Sequence, residues 1–193
     1  MVVSGLVLPG AVKEDALLAA RLKAGDAQAW ERCYRLWYPR LFTYAYRRLG
    51  DREAAADIAS ETFVRALREV GRYDPQRLSL AGWLFRLAHD RTVDHIRRLS
   101  RRPVVPLEAG EAGPAVDSTE RAVERGDLLW ALARLTNDQQ AVLLLRFYGG
   151  LSAEETGKVL GKPPGAVRAL QFRALRQLRR LLRAGQEGAD QEG

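Results

Sequence analysis

Residues 101–120, "RRPVVPLEAGEAGPAVDSTE", constrain this chain more than any other stretch. Pro103, Pro106 and Pro114, with Gly110 and Gly113 and no apolar periodicity, cannot continue a helix, so the segment marks a flexible linker. On both sides of it apolar residues recur every three or four positions, and no run alternates as a strand would. These patterns predict an all-α chain: two small helical domains joined by a flexible linker. The predicted bounds are 14–100 for the first domain, 101–119 for the linker, 120–183 for the second domain and 184–193 for a polar tail.

Four helical segments fill the first domain. "EDALLAARLKAG" ends at Gly25, and the next runs from an Asp26 N-cap to a Gly50 stop. Pro39 lies inside the second and is expected to kink or interrupt it. The third spans Asp51 to about Val70, and the fourth about Ser79 to Leu99. Cys33 is the only cysteine, which excludes an internal disulfide and reads as a packing residue. The N-terminal "MVVSGLVLPGAV" lacks the cationic start of a signal peptide. No apolar run approaches the roughly 18 residues of a membrane span, so a soluble, cytoplasmic protein without membrane contact is expected.

The chain carries 31 Lys and Arg against 24 Asp and Glu, a net charge of +7, which favours an anionic partner. Residues 151–180, "LSAEETGKVLGKPPGAVRALQFRALRQLRR", indicate which partner. Ser152 and Glu155 form a capping box, Gly161 ends that helix, and Pro164 or Gly165 opens the next. This is a helix-turn-helix. Val167, Leu170, Ala174, Leu175, Leu178 and Leu182 form its apolar face. The arginines at 168, 173, 176, 179, 180 and 183 have no acid between them, unlike a solvated helix of mixed charge. Recognition helices touch bases through their first turns, which nominates Lys162, Arg168, Gln171 and Phe172. Arg173 follows on the DNA side, with Arg176, Arg179 and Arg180 nearer phosphates.

In "DIASETFVRALREV" (57–70), Ala59, Phe63, Ala66, Leu67 and Val70 make the expected buried face. Asp57, Ser60, Glu61, Val64 and Arg68 lie opposite. A valine flanked by carboxylates in a basic chain suits docking to a protein. The following loop carries Tyr73, Asp74, Gln76 and Arg77, then a helix with Trp83 and Arg86 that ends in a cluster containing Arg97 and Arg98. Cations tracking a backbone beside a polar pocket are one way to hold single-stranded DNA with a base turned out.

The segments "DREAAADIASETFVRAL", "GWLFRLAHDRTVDHIRR" and "LTNDQQAVLLLRFYGGLSAEETGKVLGKPPGAVRALQFRALRQLR" occur in this order on the two sides of the linker. Together they resemble a bacterial RNA polymerase sigma factor of the extracytoplasmic-function (ECF) type. The resemblance implies that Asp57, Ser60, Glu61 and Val64 dock on the clamp helices of core RNA polymerase. It implies that Tyr73, Asp74, Gln76, Arg77, Trp83, Arg86, Arg97 and Arg98 serve the minus-ten element of promoter DNA, the 73–80 loop capturing a flipped base. The last helix would read the minus-35 element, and the linker would thread toward the RNA exit path. An anti-sigma factor is a further candidate partner. Three positions depart from the family pattern: Ser60 for a frequent glutamine, Asp90 for asparagine, and Leu170 for a basic residue. As an acid, Asp90 could pair with Arg86 or Arg97.

Two other readings compete. An enzyme would need a catalytic constellation, and the only histidines, His89 and His95, are six residues apart and do not share a helix face for a metal. No catalytic activity, metal or cofactor is therefore expected. A stand-alone helix-turn-helix regulator is the alternative, and it would have no use for the 73–80 loop.

Overall fold

The computed structural model describes residues 9–100, 128 and 130–189, with side chains at 16–99, 128 and 130–183. The described residues are helical, without strands. The first block holds α1 (Pro9–Lys23), α2 (Ala27–Leu49), α3 (Arg52–Glu69), a 3-10 turn (Val70–Arg72) and α4 (Leu80–Ser100). A short helix described at 128 and 130–133, α5, opens the second block. It continues through α6 (Asn137–Phe147), α7 (Ala153–Leu160) and α8 (Pro164–Ala189). The linker expected at 101–119 lies outside the described residues.

Side chains set most helix ends. Asp26 accepts from the amides of Gln28 and Ala29, and Asp51 accepts from those of Glu53 and Ala54. Each satisfies N–H groups that the helix itself cannot. Reciprocal capping boxes start α6 (Thr136 with Gln139) and α7 (Ser152 with Glu155). Gly161 ends α7 with φ at 64°. Within α7, a Cβ on Gly157 would lie 2.5 Å from the Lys162 carbonyl oxygen, so only glycine lets the helix-turn-helix corner close this tightly.

Several boundaries differ from expectation. Pro39 does not interrupt α2: its ring is exposed, and the helix continues from Ala27 to Leu49. α1 starts at Pro9, ahead of Glu14, and α8 continues six residues into the expected tail, to Ala189.

The main core centres on Leu41, Tyr44, Leu84 and Phe85, all at 0% exposure, with the Tyr44 and Phe85 rings edge-on at 5.6 Å. Phe63 packs against the Tyr34 ring at 4.8 Å. Leu67, expected in this core, is 54% exposed. The α3 stripe turns toward Ala55, Thr62 and Ala66; Thr62 is tolerated there because its hydroxyl donates to the Ile58 carbonyl at 2.7 Å. That rotation puts Leu67 outside. In α8, Leu175 is likewise 40% exposed. Leu178 and Leu181 instead pack with Leu132, Leu135, Leu143 and Ala174. Cys33 is buried as a packing residue, and burial pushes its thiol up to about 12. The two blocks touch: Leu144, Leu145, Leu151 and Val159 join the core built around Leu80 and Leu84.

His89 gives this core a pH dependence. Tyr44 donates its hydroxyl to His89 Nδ1 at 2.8 Å, and Arg48 donates to the Tyr44 oxygen at 3.2 Å. Burial, with the nearby Arg48 charge, pushes His89 down to about 4, against about 6.5 in an unfolded chain. Above pH 6.5 both states are neutral and the stability is fully present. As pH falls from 6.5 to about 4, the unfolded state alone takes a proton, removing up to about 3 kcal/mol. Denaturant titrations between pH 7 and pH 4 should show this loss, and His89→Gln should flatten it. An unchanged slope in His89→Gln would refute the assignment.

Candidate functional site

On α3, Asp57, Ser60, Glu61 and Val64 are all exposed, Val64 at 46%. The helix repeat sets them on one side because positions three and four apart share a face. They line a groove of about 710 Å³ together with Arg65, Arg68, Glu69 and Arg91. Arg65, Glu69 and Arg91 were not legible in the sequence. Arg91 comes from α4 and reaches Glu61 across the interface at 3.3 Å, while Arg65 holds Glu69 at 2.8 Å within α3. The groove's lining thus combines the exposed Val64 with carboxylates at 57, 61 and 69 and arginines at 65, 68 and 91.

A second cavity, of about 320 Å³, lies between the 72–78 segment and α4. Tyr73, Asp74, Arg77, Trp83 and Arg86 all line it. Tyr73, read in the sequence as part of the loop that serves the minus-ten element, packs inward. It is 3% exposed, donates its hydroxyl to the Leu78 carbonyl at 3.1 Å, and stacks on Trp83 at 4.7 Å. An aromatic this size gains more by filling the apolar wall than by facing water, so it braces the loop. Asp74 shapes the turn: its carboxylate accepts from the Gln76 amide at 3.0 Å and lies 3.3 Å from Arg77 Nε. Gln76, Arg77 and Arg86 remain exposed, as do Arg97 and Arg98 at the end of α4. Asp90, on the cavity wall, has Arg65 as its ion-pair partner at 3.9 Å, with Arg86 also acting on it. Partial burial pushes its carboxyl up despite both cations.

On α8, Phe172 is 63% exposed and Arg173 and Arg176 are exposed, the Arg176 guanidinium lying 5.9 Å from the Phe172 ring centroid. Three other nominated residues have protein partners. Gln171 accepts from Arg146 Nε at 2.9 Å, which makes it a brace between α6 and α8. Lys162 pairs with Asp138 at 2.8 Å. Arg168 pairs with Glu154 of α7 at 3.0 Å, both well exposed. The Glu154 carboxyl is held below the usual carboxylate range by its own backbone N–H and by Arg168. Among the described residues, no three His, Cys, Asp or Glu side chains cluster as a metal site, and no helix is long and apolar enough to cross a membrane.

An acid-and-valine stripe, a loop cavity beside a basic helix and an arginine-bearing helix-turn-helix stand on one helical frame. Two family models match: Sigma-70 region 2 over residues 33–102 and Sigma-70 region 4 over 131–180. The ECF RNA polymerase sigma factor ShbA of Streptomyces griseus is 36% identical over 177 residues, covering 85% of this chain and 93% of that protein. BldN of Streptomyces coelicolor, also an ECF RNA polymerase sigma factor, is 38% identical over 170 residues. The match covers 86% of this chain, which spans 64% of BldN. The structure of CnrH in complex with the cytosolic domain of CnrY aligns with a TM-score of 0.68 at 26% identity, covering 88% of this chain and 97% of that one. The sigma factor RpoE of Bartonella quintana, solved with the anti-sigma factor NepR, shares the fold with a TM-score of 0.63 at 20% identity, covering 81% of this chain and 98% of that one. The chain belongs to the ECF RNA polymerase sigma factors.

Proposed function

We propose that the chain binds core RNA polymerase, directs it to promoters and helps open the minus-ten element, acting in the cytoplasm as a non-enzymatic initiation factor. The exposed stripe of Asp57, Ser60, Glu61 and Val64 on its groove carries this reading. A stand-alone helix-turn-helix regulator has no use for such a surface. The stripe meets the clamp helices of the polymerase. The 73–78 cavity receives the opened base, with Asp74, Arg77 and Arg86 lining it beside Tyr73 and Trp83, and the exposed Gln76 on the same loop. Arg97 and Arg98 lie along the duplex upstream. Residues 14–100 thus serve the polymerase and the minus-ten element, 120–183 serve the minus-35 element, and 101–119 join them. An anti-sigma factor is a fitting regulator, given that RpoE was solved with one.

Within α8, Arg168 reads a base edge while Arg179 steadies the helix on phosphate. Arg168 lies in the first turns after Pro164, and Arg179 three turns further on. A bidentate arginine–guanine pair is worth about 1–3 kcal/mol of discrimination. Full-length chain and holoenzyme titrated against a minus-35 duplex and a scrambled duplex at several salt concentrations test this. Arg168→Ala should weaken the cognate site more than the scrambled one. Arg179→Ala should weaken both equally and lower the salt slope by about one. Equal losses for Arg168→Ala on both duplexes would pass the reading role to Phe172, because Gln171 is engaged by Arg146.

A further inference from the structure

Of the arginines on α8, only Arg168 has a carboxylate partner among the described residues. Its Nη1 donates to Glu154 of α7 at 3.0 Å, across the corner of the helix-turn-helix. Packing fixes both ends of this pair. Ala153 and Val167, each immediately before one of the two, are buried in one cluster with Val142. The Glu154 carboxylate also takes its own backbone N–H, one of the first-turn donors that a helix leaves unpaired. The side chains of Arg168 and Glu154 are nonetheless 63% and 57% exposed. One guanidinium nitrogen is thus held from α7, and the planar fork keeps an edge of N–H donors open to the outside.

An acid at this place needs a reason. The first helix of a helix-turn-helix crosses the DNA backbone, so a carboxylate in the first turn of α7 weakens attraction to any duplex. An exposed ion pair adds little to folding, so stability does not supply the reason. Orientation does. A free arginine at position 168 would seek the nearest phosphate whatever the sequence, because a phosphate accepts from many directions. Guanine is more demanding: two N–H donors must meet O6 and N7 at once. Resting on the base-reading role proposed for Arg168, we infer that Glu154 is its positioning residue: the carboxylate holds the guanidinium so that its open edge meets guanine, and it lowers affinity for every other sequence.

A double-mutant cycle on the full-length chain and on holoenzyme tests this, read on a minus-35 duplex and a scrambled duplex. Glu154→Gln keeps the size of the side chain and spares the Ser152–Glu155 capping box, so helicity should not change. It should lower the ratio of cognate to scrambled affinity about three-fold, within the range of a single exposed ion pair. Binding to the scrambled duplex should hold or rise, since a negative charge is removed. In the Arg168→Ala background, Glu154→Gln should leave the ratio unchanged. A ratio untouched by Glu154→Gln, with Arg168→Ala still flattening it, would overturn the inference and leave the reading role of Arg168 standing. Equal loss on both duplexes would overturn it too, as would the same fall in both backgrounds, since each shows Glu154 acting other than through Arg168. If Arg168→Ala spares the ratio, the reading role itself fails and Glu154 has nothing to position.

Discussion

Asp57→Arg with Glu61→Arg should abolish co-elution of the chain with core RNA polymerase on a sizing column while leaving its helicity intact. Both side chains are exposed, and within the chain the reversal breaks the surface ion pair of Glu61 with Arg91. Such pairs contribute at most about 1 kcal/mol. The reversal also places two cations beside Val64, where the proposed partner surface requires acids, and like-charge juxtaposition across an interface is strongly penalised. Phe63→Ala provides the contrast from the opposite side of the same helix. Phe63 is 5% exposed and packed on Tyr34, and truncation should lower stability by about 3–5 kcal/mol through the cavity it leaves. Denaturant midpoints separate the two effects. Holoenzyme formation unchanged by the double reversal would remove α3 from the polymerase interface.

Strand opening is the second large effect. Leu78 is buried and Tyr73 braces the loop, so a variant that tests base capture must spare both. Asp74→Ser, Gln76→Ser and Arg77→Ser together change the exposed rim, and serine at 74 can still support the turn through its hydroxyl. Core binding and closed-complex formation should persist. Permanganate reactivity of minus-ten thymines should fall to the level seen with core alone, because nothing captures the base once it leaves the stack. Normal reactivity in the variant would move base capture elsewhere.

What was legible in the sequence was whatever depends on neighbours along the chain. The exposure of Asp57, Ser60, Glu61 and Val64 followed from helical spacing, and the Ser152–Glu155 box from its own four residues. Errors of angle arose where two residues competed for one boundary. Leu67 and Leu175 both read as core, and both fall outside because the small residue before each, Ala66 or Ala174, faces inward. Gln171 could not be read at all, since its partner Arg146 is 25 residues away. The same holds for Glu61 with Arg91 and for Ser79 with Glu155, which are 76 residues apart. The burial of Tyr73 was not legible either. Loop position says nothing of burial, and a tyrosine whose hydroxyl reaches a carbonyl five residues on is more stable buried than in water.

Run-off transcription of genomic DNA by core RNA polymerase, with and without the chain, tests the central claim most directly. Defined start sites should appear only when the chain is present, each preceded by two shared sequence elements at fixed spacing. They should vanish with the Asp57→Arg and Glu61→Arg variant. Start sites unchanged by the chain, together with tight binding of the chain alone to duplex DNA, would contradict the account and leave a helix-turn-helix regulator in its place.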